Sequence, residues 1–130
     1  MITRLAAVTV YVDDQDEALR FYVDQLGFTK RDDIAFPNGF RWLSVGVPGQ
    51  DVAIMLEQVQ HSDRALSLPK AVGGNSTWVL FVDDCRKTTA RIKSNGVTIT
   101  GEPTEQPYGV EATIEDLYGN SYAIVEPSGH

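Results

Sequence analysis

Apolar and polar positions alternate from the start of the chain. Val8, Val10 and Val12 are separated by Thr9 and Tyr11, the period-2 pattern of a strand, predicted over residues 4–12. Asp14 with Glu17 then forms a capping-box pattern, in which a carboxylate accepts free amide hydrogens of a first helical turn. Ala18, Phe21, Tyr22 and Leu26 recur at helical spacing, so a helix is predicted over 14–26, ended by Gly27. Strands follow at 29–35, 40–47 and 52–58. They are joined by the turns Phe36-Pro37-Asn38-Gly39 and Pro48-Gly49-Gln50-Asp51. The unit is β-α-β-β-β.

The pattern then repeats. Leu80-Phe81-Val82-Asp83-Asp84 matches Val10-Tyr11-Val12-Asp13-Asp14 at a shift of 70. Gly39 matches Gly109, Gly49 matches Gly119, and Ala53-Ile54 matches Ala123-Ile124 at the same shift. Gly27 and Gly96 are one residue short of it, which places a single deletion in or beside the second helix. The second unit is predicted as a strand over 77–82, a helix over 85–94 and strands over 97–100, 110–115 and 121–126. Residues 101–109, rich in Pro and Glu, are read as a loop. Residues 1–59 form unit one, 60–75 a connection and 76–130 unit two, within a single domain 1–130.

Alternation also assigns faces. Val8, Val10, Val12, Leu43, Val45, Val47, Val52, Ile54 and Leu56 suit the side covered by the first helix. Trp78, Leu80 and Val82 suit the side covered by the second. The opposite, inner faces then line a cleft with Tyr11, Phe40, Trp42, Ser44, Met55, Glu57, Thr77 and Phe81. Aromatic walls with a few polar groups describe a small-molecule site, and plain core packing of Phe40, Trp42 and Phe81 is the competing reading.

Charge and cysteine content narrow the partners. A net charge of −7 and a pI near 4.6 argue against nucleic acid or an anionic membrane, and permit a cationic ligand. At 42% hydrophobic and 22% charged residues the composition is that of a soluble domain. No stretch approaches the ~18 apolar residues of a membrane span, so neither a span nor a signal peptide is expected. Cys85 is the single cysteine, which points to a reducing, cytoplasmic setting. It begins the second helix on the stripe Cys85, Thr88, Ile92, which favours core packing over a nucleophilic role.

Paired β-α-β-β-β units carrying V-x-V-D-D, Phe21-Tyr22-Val23-Asp24-Gln25-Leu26-Gly27-Phe28 and Asp116-Leu117-Tyr118-Gly119-Asn120 resemble the vicinal oxygen chelate superfamily. This is the group of glyoxalase I, bleomycin-resistance proteins and extradiol dioxygenases. Leu117 stands where the family usually has proline. The resemblance implies an α+β fold of two β-α-β-β-β units, forming curved mixed sheets around a cleft with the helices outside. It also implies a divalent metal held in the enzymes by four His, Glu or Gln side chains. The family positions fall here on Ala7, Ala53, Thr77 and Ala123, none an ordinary metal ligand. Glu57 replaces Ala53 under a shifted alignment. His61, in the connection, and His130, the last residue, do not complete a set.

The expectation is therefore a metal-free, cofactor-free homodimer that binds a small organic or cationic molecule in its cleft, as the bleomycin-resistance branch implies. An enzyme of the same fold stands as the alternative: a lyase, isomerase or dioxygenase, metal-dependent or using Glu57 as base. A scaffold that uses the fold only to dimerise is a third.

Overall fold

The computed structural model describes residues 1–59 and 78–129. In chain order the elements are β1 (Ala7–Val12), α1 (Gln15–Arg20, continued by a π turn over Phe21–Gln25), β2 (Thr29–Ala35), β3 (Arg41–Gly46) and β4 (Ala53–Gln58). Then come β5 (Trp78–Phe81), α2 (Cys85–Ser94), β6 (Thr98–Gln106), β7 (Gly109–Glu115) and β8 (Ser121–Pro127). The strands form two four-stranded sheets, ordered β1-β4-β3-β2 and β5-β8-β7-β6. In each, the first strand runs parallel to the last and the other pairings are antiparallel. The fold is α+β, and its two units share one topology. The chain divides into compact units Met1–Leu68 and Pro69–His130. The predicted connection over 60–75, Thr77, His61 and His130 lie outside the described residues.

In unit one the local chemistry does what its pattern requires. Asp14 sits in extended conformation at the helix start, and its Oδ1 accepts from the Glu17 amide at 3.0 Å. Such a cap is worth about 1 kcal/mol. Ala18, Phe21 and Tyr22 are buried, and each large ring contributes roughly 1.5–3 kcal/mol by leaving water. They pack on the sheet face that carries Val10, Val12, Leu43, Val45, Ile54 and Leu56, all buried. Gln15, also buried, ties the helix to the sheet by donating its amide to the carbonyls of Leu56 (2.8 Å) and Arg41 (3.1 Å). Val47 and Val52, expected on this face, are exposed instead, because both fall in the turn between β3 and β4.

The helix does not run on as a regular α-helix. Over Phe21–Gln25 it widens into a π turn, and the Leu26 amide bonds back to Phe21 at 3.1 Å, five residues away. Such a turn accommodates one extra residue. Gly27, at φ 90°, then ends it. Helix α2 is regular from Cys85 to Ser94 and stops at Gly96, φ 93°. The one-residue mismatch between Gly27 and Gly96 thus corresponds to a residue that the first helix holds in its π turn.

Unit two repeats the device. Asp84 caps α2 by accepting from the Lys87 amide at 3.0 Å. The buried stripe is Cys85, Thr89 and Ile92, not Thr88 as the sequence suggested. The Cys85 thiol is enclosed, with its Sγ 3.6 Å from the Ile124 carbonyl, and burial pushes its pKa up. It is a core residue. Trp78, Leu80 and Val82 are half-buried. The turn at Asp116 survives without proline, because the buried carboxylate accepts from the amides of Tyr118 (2.9 Å) and Asn120 (2.8 Å) and from the Asn120 side chain (2.7 Å).

Two further readings need correction. Residues 101–106 are strand, not loop: β6 continues to Gln106. Pro103 is tolerated because β6 is an edge strand and pairing with β7 is irregular between Gly101 and Thr104, where no ladder donor is required. The repeat is also slid in one place. Ala7 lies opposite Ala53, whereas Ala123 lies opposite Val79, two residues beyond the equivalent of Ala7. An even slide keeps each side chain on its face.

Arg41 fastens α1 to the sheet edge. Its guanidinium donates to Asp33 at 2.8 and 2.9 Å and to Asp16 at 2.8 Å. These bonds hold the Asp33 carboxyl below its ordinary pKa and raise that of Arg41. A depressed carboxylate stabilises the fold above its unfolded pKa of about 4, and that stability is lost as pH falls through the lower folded value. Arg41→Gln is expected to lower the urea midpoint at neutral pH and to flatten the decline in stability below pH ~4. Parallel urea titrations at several pH values check this, and an unchanged acid limb contradicts it.

Candidate functional site

The face of the first sheet opposite α1 carries the candidate site. Strand register arranges it in rows. Thr29, Gly46, Ala53 and Ala7 form one. Asp32, Ser44, Met55 and Thr9 form the next. Ile34 lies beside Trp42, and Tyr11 beside Glu57, on the same face further along the strands. Ser44 and Met55 are closed to solvent, Tyr11, Trp42 and Glu57 are half-buried, and Thr9, Asp32 and Ile34 are exposed. Five of the eight residues singled out from the sequence therefore share one face of unit one: Tyr11, Trp42, Ser44, Met55 and Glu57. Phe40 precedes β3 at the hairpin tip, its ring 5.8 Å from that of Phe36. Phe81 belongs to unit two. There it is 75% exposed, on the face opposite α2 with Val79, Ala123 and Val125. Thr77 lies outside the described residues.

The sequence reading missed Asp32 and Arg31. Between Lys30 and Asp32 the β2–β3 register shifts, a bulge at Arg31. An extra residue resets alternation, so neither face of β2 can be read by counting from one end. Asp32 faces Ser44: its amide donates to Ser44 Oγ at 3.2 Å, and that hydroxyl donates to Asp32 Oδ2 at 3.3 Å. Arg31 lies across Gly46, where a Cβ would meet its guanidinium at 2.5–2.9 Å. Its Nη1 donates to the Asp51 carbonyl at 3.1 Å, and its Nη2 donates to the carbonyls of Val47 (2.6 Å) and Gln50. The run Lys30-Arg31-Asp32-Asp33 was the one available signal, a polar stretch too dense for simple alternation.

Among the described residues, those at the implied metal positions, Ala7, Ala53 and Ala123, do not fit a metal. Ala7 and Ala53 are strand neighbours, and Ala123 faces the same way as Val79. Their methyl groups offer no lone pair to a divalent ion. Among the described residues no group of three or more His, Cys, Asp or Glu could hold one.

With that geometry in view, the comparisons with known proteins are specific. The family model described as the Glyoxalase/Bleomycin resistance protein/Dioxygenase superfamily matches residues 4–129. The chain belongs to that superfamily. It is 35% identical over 127 residues to the uncharacterized protein YurT of Bacillus subtilis (strain 168), covering 95% of this chain and 98% of that one. The crystal structure of UcmS2 superposes with a TM-score of 0.84 at 33% identity, over 97% of this chain and 99% of the other. That of TnmS3, an antibiotic binding protein from Streptomyces sp. CB03234, superposes with a TM-score of 0.81 at 30% identity, over 98% of each.

Superfamily membership makes the alanines testable. Calorimetric titration of the chelator-treated protein with zinc or nickel is expected to show no saturable one-to-one site. A stoichiometric, sub-micromolar isotherm would contradict the assignment of Ala7, Ala53 and Ala123 to the metal positions.

Proposed function

We propose that this protein binds a small organic molecule reversibly, without a metal, on the face of its first sheet opposite α1. The observation that carries the proposal is the grouping of Tyr11, Ile34, Trp42 and Met55 with the Glu57 carboxylate on one sheet face. Flat aromatic and apolar surface with a few polar groups is what a small organic ligand needs. An indole stacks on planar or cationic groups, and a carboxylate pairs with a positive one. The alanines at the metal positions favour binding over metal-assisted chemistry. The likeness to TnmS3, described as an antibiotic binding protein, supports the same reading.

The assembly belongs to the proposal. Strand β5 is an edge of its sheet and exposes Val79 (61%) and Phe81 (75%). An apolar open edge calls for cover, and a second copy of the chain supplies it in a homodimer. Light scattering at micromolar concentration is expected to give twice the 14.3 kDa chain mass. A monomeric mass contradicts this part of the reading.

Trp42 provides the test of binding. A ligand found by thermal-shift screening is expected to quench Trp42 fluorescence, since a bound ligand stabilises the folded state by mass action. Trp42→Ala is expected to weaken that ligand by about 1–3 kcal/mol, the loss of an aromatic anchor. Trp78→Ala, on the helix side of the second sheet, is expected to lower the melting temperature and leave affinity nearly unchanged. If both substitutions destabilise and neither alters affinity, the face is core and the proposal fails.

A further inference from the structure

The corner of this face beside Ala7 and Ala53 is not chemically blank. Arg31 reaches it only because position 46 is glycine: the guanidinium rests where a Cβ would stand. Gly46 lies opposite Ala53, and Ala53 opposite Ala7. Neighbouring strands are about 5 Å apart, so the charge sits about 5 Å from Ala53 and about 10 Å from Ala7. Both neighbours are methyl groups, which leave the corner without bulk.

The guanidinium is held but not neutralised. Its three hydrogen bonds go to backbone carbonyls of the turn after β3, which fix its position and leave its charge in place. Those bonds leave Nε–H and one Nη1–H of its five donors. Two of the nearby carboxylates are paired with other arginines, and Asp32 keeps its charge. Asp51 pairs with Arg4 at 3.5 Å, Asp33 with Arg41 at 2.8 Å, and Asp32 accepts from Ser44 at 3.3 Å. Among the described residues Arg31 forms no ion pair with a carboxylate. A fixed, unpaired cation next to the two alanines both disfavours a divalent ion there and supplies a positive charge of its own.

We propose that Arg31 anchors an anionic oxygen of the ligand, a carboxylate or phenolate on a planar aromatic body, at the corner formed with Gly46, Ala53 and Ala7. The inference rests on the reading that this face binds a small molecule, and it adds the ligand's class. Trp42 lies four residues along β3 from Gly46, and Glu57 four along β4 from Ala53, each about 13 Å away. The ligand is therefore elongated. Its acidic oxygen meets Arg31, its ring system runs from that corner toward Trp42, and a hydrogen-bond donor or cation at the far end meets Glu57.

Anthracene-2-carboxylate and its neutral isostere anthracene-2-carboxamide test this by calorimetry on the full-length protein. The carboxylate is expected to bind at least about tenfold tighter than the amide, or ~1.4 kcal/mol. Arg31→Gln is expected to close that gap, with an unchanged circular dichroism spectrum and melting temperature showing that the face remains folded. Arg31→Lys, which keeps the charge, is expected to retain most of the gap. Equal binding of the two probes by the unaltered protein overturns the assignment of Arg31, with or without a foldable variant, and leaves the binding reading standing. A gap that survives Arg31→Gln overturns the assignment in the same way. Binding of neither probe counts against both.

Discussion

A β-α-β-β-β unit makes a sheet with two faces and a helix that covers one. That imbalance governs this protein. In unit one the helix side absorbs Phe21, Tyr22 and the buried valines and leucines, and Gln15 and Arg41 fasten the helix to the strands. The other face carries indole, phenol, thioether and carboxylate groups instead of a second aliphatic layer. A fold that needed this face only for stability would be expected to fill it with branched aliphatics, which pack without polar atoms to satisfy. That mixture is the observation on which the proposed binding role rests.

Much of the architecture was legible because its determinants are local. Asp14 and Asp84 cap helices through their own side chains, Gly27 and Gly96 stop them with positive φ, and strands β1 and β4 betray their faces by alternation. The features that escaped are those set by pairing between distant segments. The extension of β6 past Gly101 depends on β7 lying beside it, and no window around Pro103 reports that. The exchange of Thr88 for Thr89 reflects how α2 is rotated on its sheet, which a stripe of three residues cannot define.

The candidate site was legible to the same degree. Tyr11, Trp42, Ser44, Met55 and Glu57 were reachable by counting along strands, since β1, β3 and β4 are regular where those residues sit. Arg31 and Asp32 were not, because the bulge between Lys30 and Asp32 breaks the count. Phe40 and Phe81 show the limit of parity as a guide. Parity gives a direction, but the first sits at a hairpin tip against Phe36 and the second on an exposed edge strand of the other unit.

The π turn at Phe21–Gln25 bears on how the chain tolerates changes in length. One residue inserted into a regular helix would rotate everything beyond it by about 100°, turning the apolar stripe away from the sheet. Here the surplus is confined to a single wide turn. Residues before it keep their phase, and the stop at Gly27 still delivers the chain into β2. Phe21 and Tyr22, adjacent in sequence, are both buried, their rings 5.6 Å apart edge to face. The two copies of the unit can thus differ by a residue in helix length and still build the same sheet, so the first helix acts as the chain's expansion joint.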